Sequence, residues 1–215
     1  MPGELSRIKK LLGDLEEETL LTLVKERLAA NDNPMAIVEA CREGMDVVGE
    51  RFGSQEYFVS DLIVSAELFN EVMNILAPKL PAGGSGGPVT KVVFGTVQDD
   101  VHDIGKNLVV AMLRCNGFEV YDVGIDAPAR AFVDKVKETG ATVVGLSGLL
   151  TAAFSSMEAT IKALKDAGLR DKVKVMIGGG MVNDFVRVKV GADAWGRDAM
   201  EAVKLVKSFS EVKVK

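Results

Sequence analysis

From Lys91 onward the chain repeats one pattern five times: a short β-branched or apolar run followed by a segment long enough for a helix. The runs are Lys91 to Val97, Phe118 to Val123, Thr142 to Leu146, Val173 to Ile177 and a weaker Ala192 to Trp195. The segments that follow them are 105 to 116, 128 to 139, 155 to 168, 181 to 190 and 198 to 209, and Gly117, Gly140, Gly168 and Gly191 stand where the first four should stop. Such alternation leaves little choice of architecture. Parallel strands need crossover connections, and the crossovers cover both faces of the sheet.

The expectation over residues 90–215 is therefore an α/β domain of Rossmann-like (flavodoxin-like) form with a five-stranded parallel sheet. Residues 4 to 78 read differently, as helices without strands. Asp14 with Glu16, Glu17 and Glu18 suits an acidic first turn, and Leu20, Leu21, Leu23, Val24 and Leu28 follow at helical spacing. Those glutamates read as a solvated face rather than a metal cluster. Asn33-Pro34 looks like an N-cap with proline at the first helical position, opening a helix with Ile37, Val38, Cys41, Met45, Val48 and Phe52 on one side and Cys41 in the core. After a break at Gly53 to Glu56, another helix begins near Ser60-Asp61 and carries Leu62, Ile63, Ala66, Leu68, Phe69, Val72, Met73 and Ile75 until Pro78 ends it. The first 80 residues are thus expected to form an all-α four-helix bundle. Pro81-Ala82-Gly83-Gly84-Ser85-Gly86-Gly87-Pro88 marks a flexible linker over 81–89, with a span of roughly 15 to 18 Å.

With 27% charged residues and a net charge of -5, the chain lacks the clustered lysine and arginine that nucleic acid or an anionic membrane surface would want. Two cysteines far apart give no disulfide framework, and neither a signal-peptide pattern nor an apolar run of membrane-spanning length is present. The cytoplasm is the expected location, with no nucleic-acid or membrane partner.

The protein's one histidine, His102, lies in Asp99-Asp100-Val101-His102-Asp103-Ile104-Gly105, directly after the first strand. A single histidine cannot build a zinc site, which needs three or four protein ligands; it suits a metal that arrives already ringed. Two residues earlier, the Asp100 carboxylate can accept the Nδ1 proton of His102, which fixes the tautomer and presents Nε2 to a metal. Taken singly, the histidine is as readily a surface group as a ligand.

Position raises the functional reading. In open parallel sheets ligands bind outside the carboxyl ends of the strands where strand order reverses, which for a 2-1-3-4-5 order lies between the first and third strands. His102 follows the first strand, Ser147-Gly148-Leu149 the third and Gly178-Gly179-Gly180 the fourth, so three unusual loops converge on one sheet edge. Ser147 offers a hydroxyl to a buried polar atom, and the glycines let a bulky group approach the backbone. The first strand does not end in Gly-x-Gly-x-x-Gly, no phosphate-binding Gly-Lys-Ser/Thr loop exists, and the third strand ends without a phosphorylatable aspartate. Nicotinamide, nucleotide triphosphate and phosphoacceptor chemistry are disfavoured.

These residues resemble the cobalamin-binding proteins, whose pattern is Asp-x-His-x-x-Gly, about forty residues, Ser-x-Leu, fewer than thirty residues, Gly-Gly. Here 41 residues (106 to 146) separate Gly105 from Ser147, and 28 (150 to 177) separate Leu149 from Gly178. The helical half, from Gly49-Glu50-Arg51-Phe52-Gly53 through Tyr57-Phe58-Val59-Ser60-Asp61-Leu62, is similar to the cap module of methionine synthase and of the small corrinoid proteins of anaerobic methyltransferase systems. The resemblance implies that His102 is the lower axial cobalt ligand with Asp100 behind it, among Asp103, Ile104 and Gly105. It implies that the cofactor's displaced dimethylbenzimidazole tail enters a slot by Ser147, Leu149 and Gly178 to Gly180, and that Phe52 and Val59 cover the upper face. Ala153 stands where methionine synthase has the serine completing an Asp-His-Ser relay; Thr151 or a water is a candidate substitute. The chemistry implied is methyl transfer by cobalt cycling between methyl-Co(III) and Co(I), with His102 leaving and returning each cycle.

On this resemblance the chain is a methyl carrier between a substrate-specific methyltransferase and a second methyltransferase, for which tetrahydrofolate is one acceptor, with a reductive activator as third partner. Two alternatives stay open: a cobalamin-binding sensor, which would often add a DNA-binding segment, and a carbon-skeleton mutase subunit, which has no need of a helical cap.

Overall fold

In a computed structural model of the protein, residues 2–80 and 89–211 are described. The chain forms two compact units, one over the N-terminal helices and one over the βα repeats. The linker expected over 81–89 falls almost wholly on 81–88, outside the described residues.

The helical unit has α1 (Pro2–Gly13), α2 (Glu17–Ala29), α3 (Pro34–Gly53) and α4 (Val59–Leu76). Its core holds Ile8, Leu12, Leu20, Val24, Ile37, Cys41, Met45, Val48, Leu62, Val72 and Leu76, all fully buried, and burial pushes the Cys41 thiol up to about 12, so Cys41 packs as an inert apolar side chain. Asn33 does cap α3: its side-chain oxygen accepts the Met35 N–H at 3.0 Å. Glu16, Glu17 and Glu18 are exposed, as a solvated face should be.

Helices α1 and α3 meet closely at Gly44, where a Cβ would stand 2.9 Å from both the Lys9 carbonyl oxygen and Leu12 Cδ2. Gly44→Ala is accordingly expected to destabilise this unit by about 1–3 kcal/mol, since the Lys9 backbone cannot give way as a side chain could; the midpoint of urea unfolding followed by helical circular dichroism measures it, and an unchanged midpoint would contradict the close crossing.

Helix α4 starts at Val59, beside the expected Ser60-Asp61, where the Phe58 N–H donates to Asp61 Oδ2 at 2.7 Å and closes the first turn. Ile63 is 44% exposed: four residues after Val59, it shares that residue's outward face while Leu62 is turned inward. Phe52, at the end of α3, is only half-buried.

The second unit runs β1 (Lys91–Thr96), α5 (Ile104–Cys115), β2 (Glu119–Asp122), α6 (Ala129–Thr139), β3 (Val143–Ser147), α7 (Ala153–Asp166), β4 (Lys174–Gly178), α8 (Asp184–Val190), β5 (Ala194–Gly196) and α9 (Ala199–Glu211). All pairings are parallel and the strand order is β2-β1-β3-β4-β5, so β1 and β3 lie side by side at the reversal point as expected. Val93, Val144, Leu146, Val175 and Ile177 form one core with Phe132 and Val136 of α6, Met157, Ile161 and Leu164 of α7, and Val186 and Val190 of α8. On the opposite side, α5 and α9 contribute buried Val110, Leu113, Val203 and Val206. Gly140 and Gly191 end α6 and α8 in the left-handed region, at φ 69° and 80°. Helix α7 begins two residues before the expected 155, and α8 begins at 184 rather than 181, where the Asn183 side chain accepts the Val186 N–H at 3.1 Å.

Candidate functional site

The carboxyl ends of four strands are in register: Thr96 of β1 pairs with Ser147 of β3, Ser147 with Gly178 of β4, and Gly178 with Gly196 of β5. The loops that leave this row are therefore brought together by the sheet itself.

The loop after β1 is fastened at several points. Buried Thr96 donates its hydroxyl to the His102 carbonyl at 2.9 Å. Asp99, at φ 66°, donates its N–H to Asp126 Oδ1 at 2.8 Å, and the Asp126 N–H donates to the Asp100 carbonyl at 2.9 Å. Behind the loop, Lys106 is 5% exposed and paired with Asp122 at 2.5 Å, which ties α5 to the end of β2. None of Thr96, Asp126 or Lys106 is marked by the motif; each is an ordinary residue whose role appears only in contact.

Asp100 is the hub. Its side chain is completely buried, and four N–H groups converge on its two oxygens. Oδ1 accepts the His102 backbone N–H at 2.9 Å and the His102 ring Nδ1 at 2.8 Å; Oδ2 accepts the Leu149 and Leu150 N–H groups at 2.7 and 3.3 Å. Burial alone pushes this carboxyl up, but the hydrogen bonds from His102, Leu149 and Leu150 outweigh it and hold the group below the usual carboxylate range. An ionised Asp100 can only accept, so Nδ1 carries the proton and Nε2 keeps the free lone pair. The imidazole is 47% exposed. Asp100 and His102 thus stand as the sequence suggested, with the loop after β3 as an additional participant.

The surroundings of the ring are apolar and open. Val101, Ile104, Ile125, Leu149, Leu150 and Met181 are all exposed, and all lie in or beside the loops that follow β1 to β4. Six exposed large apolar side chains at one sheet edge mark a binding surface rather than a solvated one. Asp103 precedes α5 and accepts from Asn107 Nδ2 at 3.3 Å, while Gly105 faces open space.

The glycine run does something besides leaving room. Gly179 has φ 139°, and a Cβ there would lie 2.0 Å from the Gly148 carbonyl oxygen; the Gly148 N–H meanwhile donates to the Gly178 carbonyl at 3.0 Å. The loops after β3 and β4 touch backbone to backbone. Gly178 and Gly180 are less crowded, Gly180 facing only Leu149 Cδ1 at 2.7 Å. Ser147 is half-buried at the strand end, Thr151 is exposed on the turn before α7, and Ala153 is fully buried in the core under Gly148. With no hydroxyl at 153, the Asp100 oxygens are occupied by N–H donors alone.

Within the helical unit, Val59 is exposed together with Phe58, Ile63 and Val64, an apolar patch at the α3–α4 corner. Phe58 is 66% exposed, yet a lone aromatic beside a helix start carries no sequence mark that separates it from a core residue.

Among the described residues no group of three or more His, Cys, Asp or Glu could hold a bare metal ion, and no helix is long and apolar enough to cross a membrane. One oriented nitrogen within an apolar rim fits a metal whose other positions are already filled by a flat ring.

Comparison with known proteins agrees with that geometry. A B12 binding domain family matches residues 90–204, and a second B12 binding domain family matches residues 4–77. The dimethylamine corrinoid protein of Methanosarcina barkeri is 39% identical over 195 residues, 90% of this chain and 91% of its own length. A cobalamin-binding protein from Desulfitobacterium hafniense superposes with a TM-score of 0.82 at 42% identity, covering 95% of this chain and 98% of that one. A chain of the methanol:cobalamin methyltransferase complex of Methanosarcina barkeri superposes with a TM-score of 0.84 at 25% identity, covering 98% of this chain and 81% of that one.

Proposed function

The chain belongs to the B12-binding corrinoid proteins, and from that premise we propose that it is the methyl-carrying subunit of a methyltransferase system. The observation that carries the reading is the Asp100–His102 pair: one imidazole, its Nδ1 held at 2.8 Å by a buried carboxylate and its Nε2 free, inside an apolar rim. Bound there, the corrinoid supplies a cobalt able to take up and give up a methyl group.

The chain's own part is to bind, orient and shield. His102 would be the residue that offers a nitrogen to the cobalt, and Asp100 keeps its tautomer and ring plane fixed. Asp103, Ile104 and Gly105 line the start of α5, Ser147, Leu149 and Thr151 the loop after β3, and Gly178 to Gly180 the loop after β4; these hold the cofactor's underside and tail. The likeness to a chain of the methanol:cobalamin methyltransferase complex supports a methyltransferase as partner. In this reading the partners are a substrate-specific methyltransferase that loads the carrier, a second methyltransferase that unloads it, and a reductive activator that rescues it after oxidation.

A single histidine makes the test unambiguous. Protein grown with nitrogen-15 histidine and loaded with cob(II)alamin is expected to show a doublet nitrogen splitting in its EPR spectrum, against a triplet for unlabelled protein. His102→Ala is expected to lose the label's effect altogether. A triplet in labelled protein would mean that the cofactor keeps its own base and that His102 is not the ligand.

A further inference from the structure

Among the described residues the buried polar side chains are Ser65, Thr96, Asp100, Lys106 and Thr160. Ser65 and Thr160 turn their hydroxyls onto carbonyls of their own helices, those of Leu62 and Ser156, each at 2.8 Å. The other three fall between the end of β1 and the first turn of α5. Asp100 and Lys106 carry charges that need partners. Thr96 carries none, and an apolar β-branched residue would suit the end of a buried strand at least as well.

Thr96 ends β1, the strand that lies between β2 and β3. Its main chain is held on both sides: its N–H donates to the Gly124 carbonyl at 2.9 Å, its carbonyl accepts the Ala127 N–H at 3.0 Å, and the next N–H, that of Val97, donates to the Ser147 carbonyl at 3.0 Å. A β-branched side chain on so fixed a backbone has little freedom at χ1, so the sheet itself sets the direction of Oγ1. That hydroxyl meets the His102 carbonyl, six residues on, at 2.9 Å.

Asp100 does not make this hold redundant. It takes the His102 N–H and the ring Nδ1 on one oxygen, but it belongs to the same loop as His102, and its other oxygen is held by a second loop, at Leu149 and Leu150. The Thr96 bond ties residue 102 directly to a strand. Asp100 thus governs the tautomer and plane of the ring, and Thr96 the main chain from which the ring hangs.

We infer that Thr96 is a positioning residue for the axial nitrogen: its hydroxyl fixes where the His102 ring stands at the sheet edge. The inference rests on the reading above that His102 offers a nitrogen to the cobalt.

The test compares wild type with Thr96→Val, which keeps the branched shape and removes the hydroxyl, and Thr96→Ser, which keeps the hydroxyl and removes a buried methyl. Melting temperatures are measured on cofactor-free protein, and the midpoint potential of the Co(II)/Co(I) couple on protein loaded with cobalamin. An axial nitrogen that binds Co(II) and leaves Co(I) lowers that potential, by about 59 mV for each tenfold in its binding. Thr96→Val is expected to weaken the bond from His102 to cobalt about tenfold and so to raise the potential by about 59 mV. Its melting temperature is expected to stay near wild type, because His102 is exposed and water can reach the freed carbonyl. Thr96→Ser is expected to do the reverse, melting lower for want of the methyl while keeping the wild-type potential. Loss of the corrinoid on gel filtration by Thr96→Val but not by Thr96→Ser would be the same result taken further. A wild-type potential in Thr96→Val, or an equal rise in both variants, would make Thr96 a packing residue and overturn the inference. The nitrogen-15 EPR spectrum of wild type tells the two failures apart: with a doublet there and no shift in Thr96→Val the inference alone fails, whereas a triplet removes His102 as the ligand and takes the inference with it.

Discussion

Asp100→Ala is expected to lose about 2–4 kcal/mol of the βα unit's stability and, in the same stroke, the fixed orientation of His102. The cost follows from the four donors on this one carboxylate. Truncation leaves the His102, Leu149 and Leu150 backbone N–H groups and the ring Nδ1 without their acceptor, at distances of 2.7 to 3.3 Å that water cannot match without opening the loop. Asp100→Asn separates the two effects: it keeps the volume and one acceptor, but sets an amide NH2 or a poorer acceptor against the ring or against the Leu149 N–H. Its loss should be smaller in stability and nearly as large in ligand orientation. Urea midpoints of the cofactor-free proteins measure the first quantity, and the strength of the axial nitrogen signal in the loaded proteins measures the second. A wild-type midpoint for Asp100→Ala would show that the carboxylate is not the hub described.

The same group gives an acid limb. Its folded carboxyl titrates below the usual range, so the stability it contributes is complete above about pH 5 and is lost as pH falls through the unfolded value near 4 towards the lower folded one. The gap between wild type and Asp100→Ala should therefore narrow on acidification. A gap that widened instead would place the folded carboxyl above its ordinary value.

Gly179→Ala is expected to be at least as severe, roughly 3–5 kcal/mol, because two costs add: a side chain at φ 139° and a Cβ 2.0 Å from a backbone oxygen. The Gly148 carbonyl cannot rotate away as a side chain would. Relief requires the loop after β3 to lift, and that loop carries the Leu149 N–H bound to Asp100. The damage should thus travel to the imidazole and abolish retention of the corrinoid on gel filtration. Gly180→Ala is the control. It meets only the end of the Leu149 side chain at 2.7 Å and should cost less than about 1 kcal/mol. If Gly179→Ala unfolds at the wild-type midpoint and keeps the cofactor, the backbone contact between the two loops has been misjudged.

What the sequence made legible, and what it hid, divides along physical lines. Strand runs such as Val92-Val93-Phe94 and the glycines that end α6 and α8 are local, so they could be read directly; the strand order followed from the general rule for such sheets. The Asp100–His102 pair was legible because both partners sit in one short loop. The Leu149 and Leu150 donors were not, since a backbone N–H has no residue identity and their approach depends on β1 pairing with β3. The start of α8 was placed three residues early because Met181 and Val182 continue an apolar pattern, whereas the Val182 N–H closes a turn onto the Gly179 carbonyl and Asn183 begins the helix. The glycine run was recognised as unusual, but a close approach between two loops of the same chain is as good a reason for it as room for a ligand.

The reach of Asp100 also bears on how the protein is made. Its partners lie in its own loop and again 49 and 50 residues further on, beyond β2 and α6. A nascent chain that has emerged only as far as α6 already contains the imidazole but not the two N–H groups that hold the carboxylate against it, nor the strand that brings them there. The ring acquires its fixed direction only when β3 has joined β1, a long-range pairing that comes late relative to local helices. On the role proposed for His102, capture of the cofactor is tied to completion of the sheet.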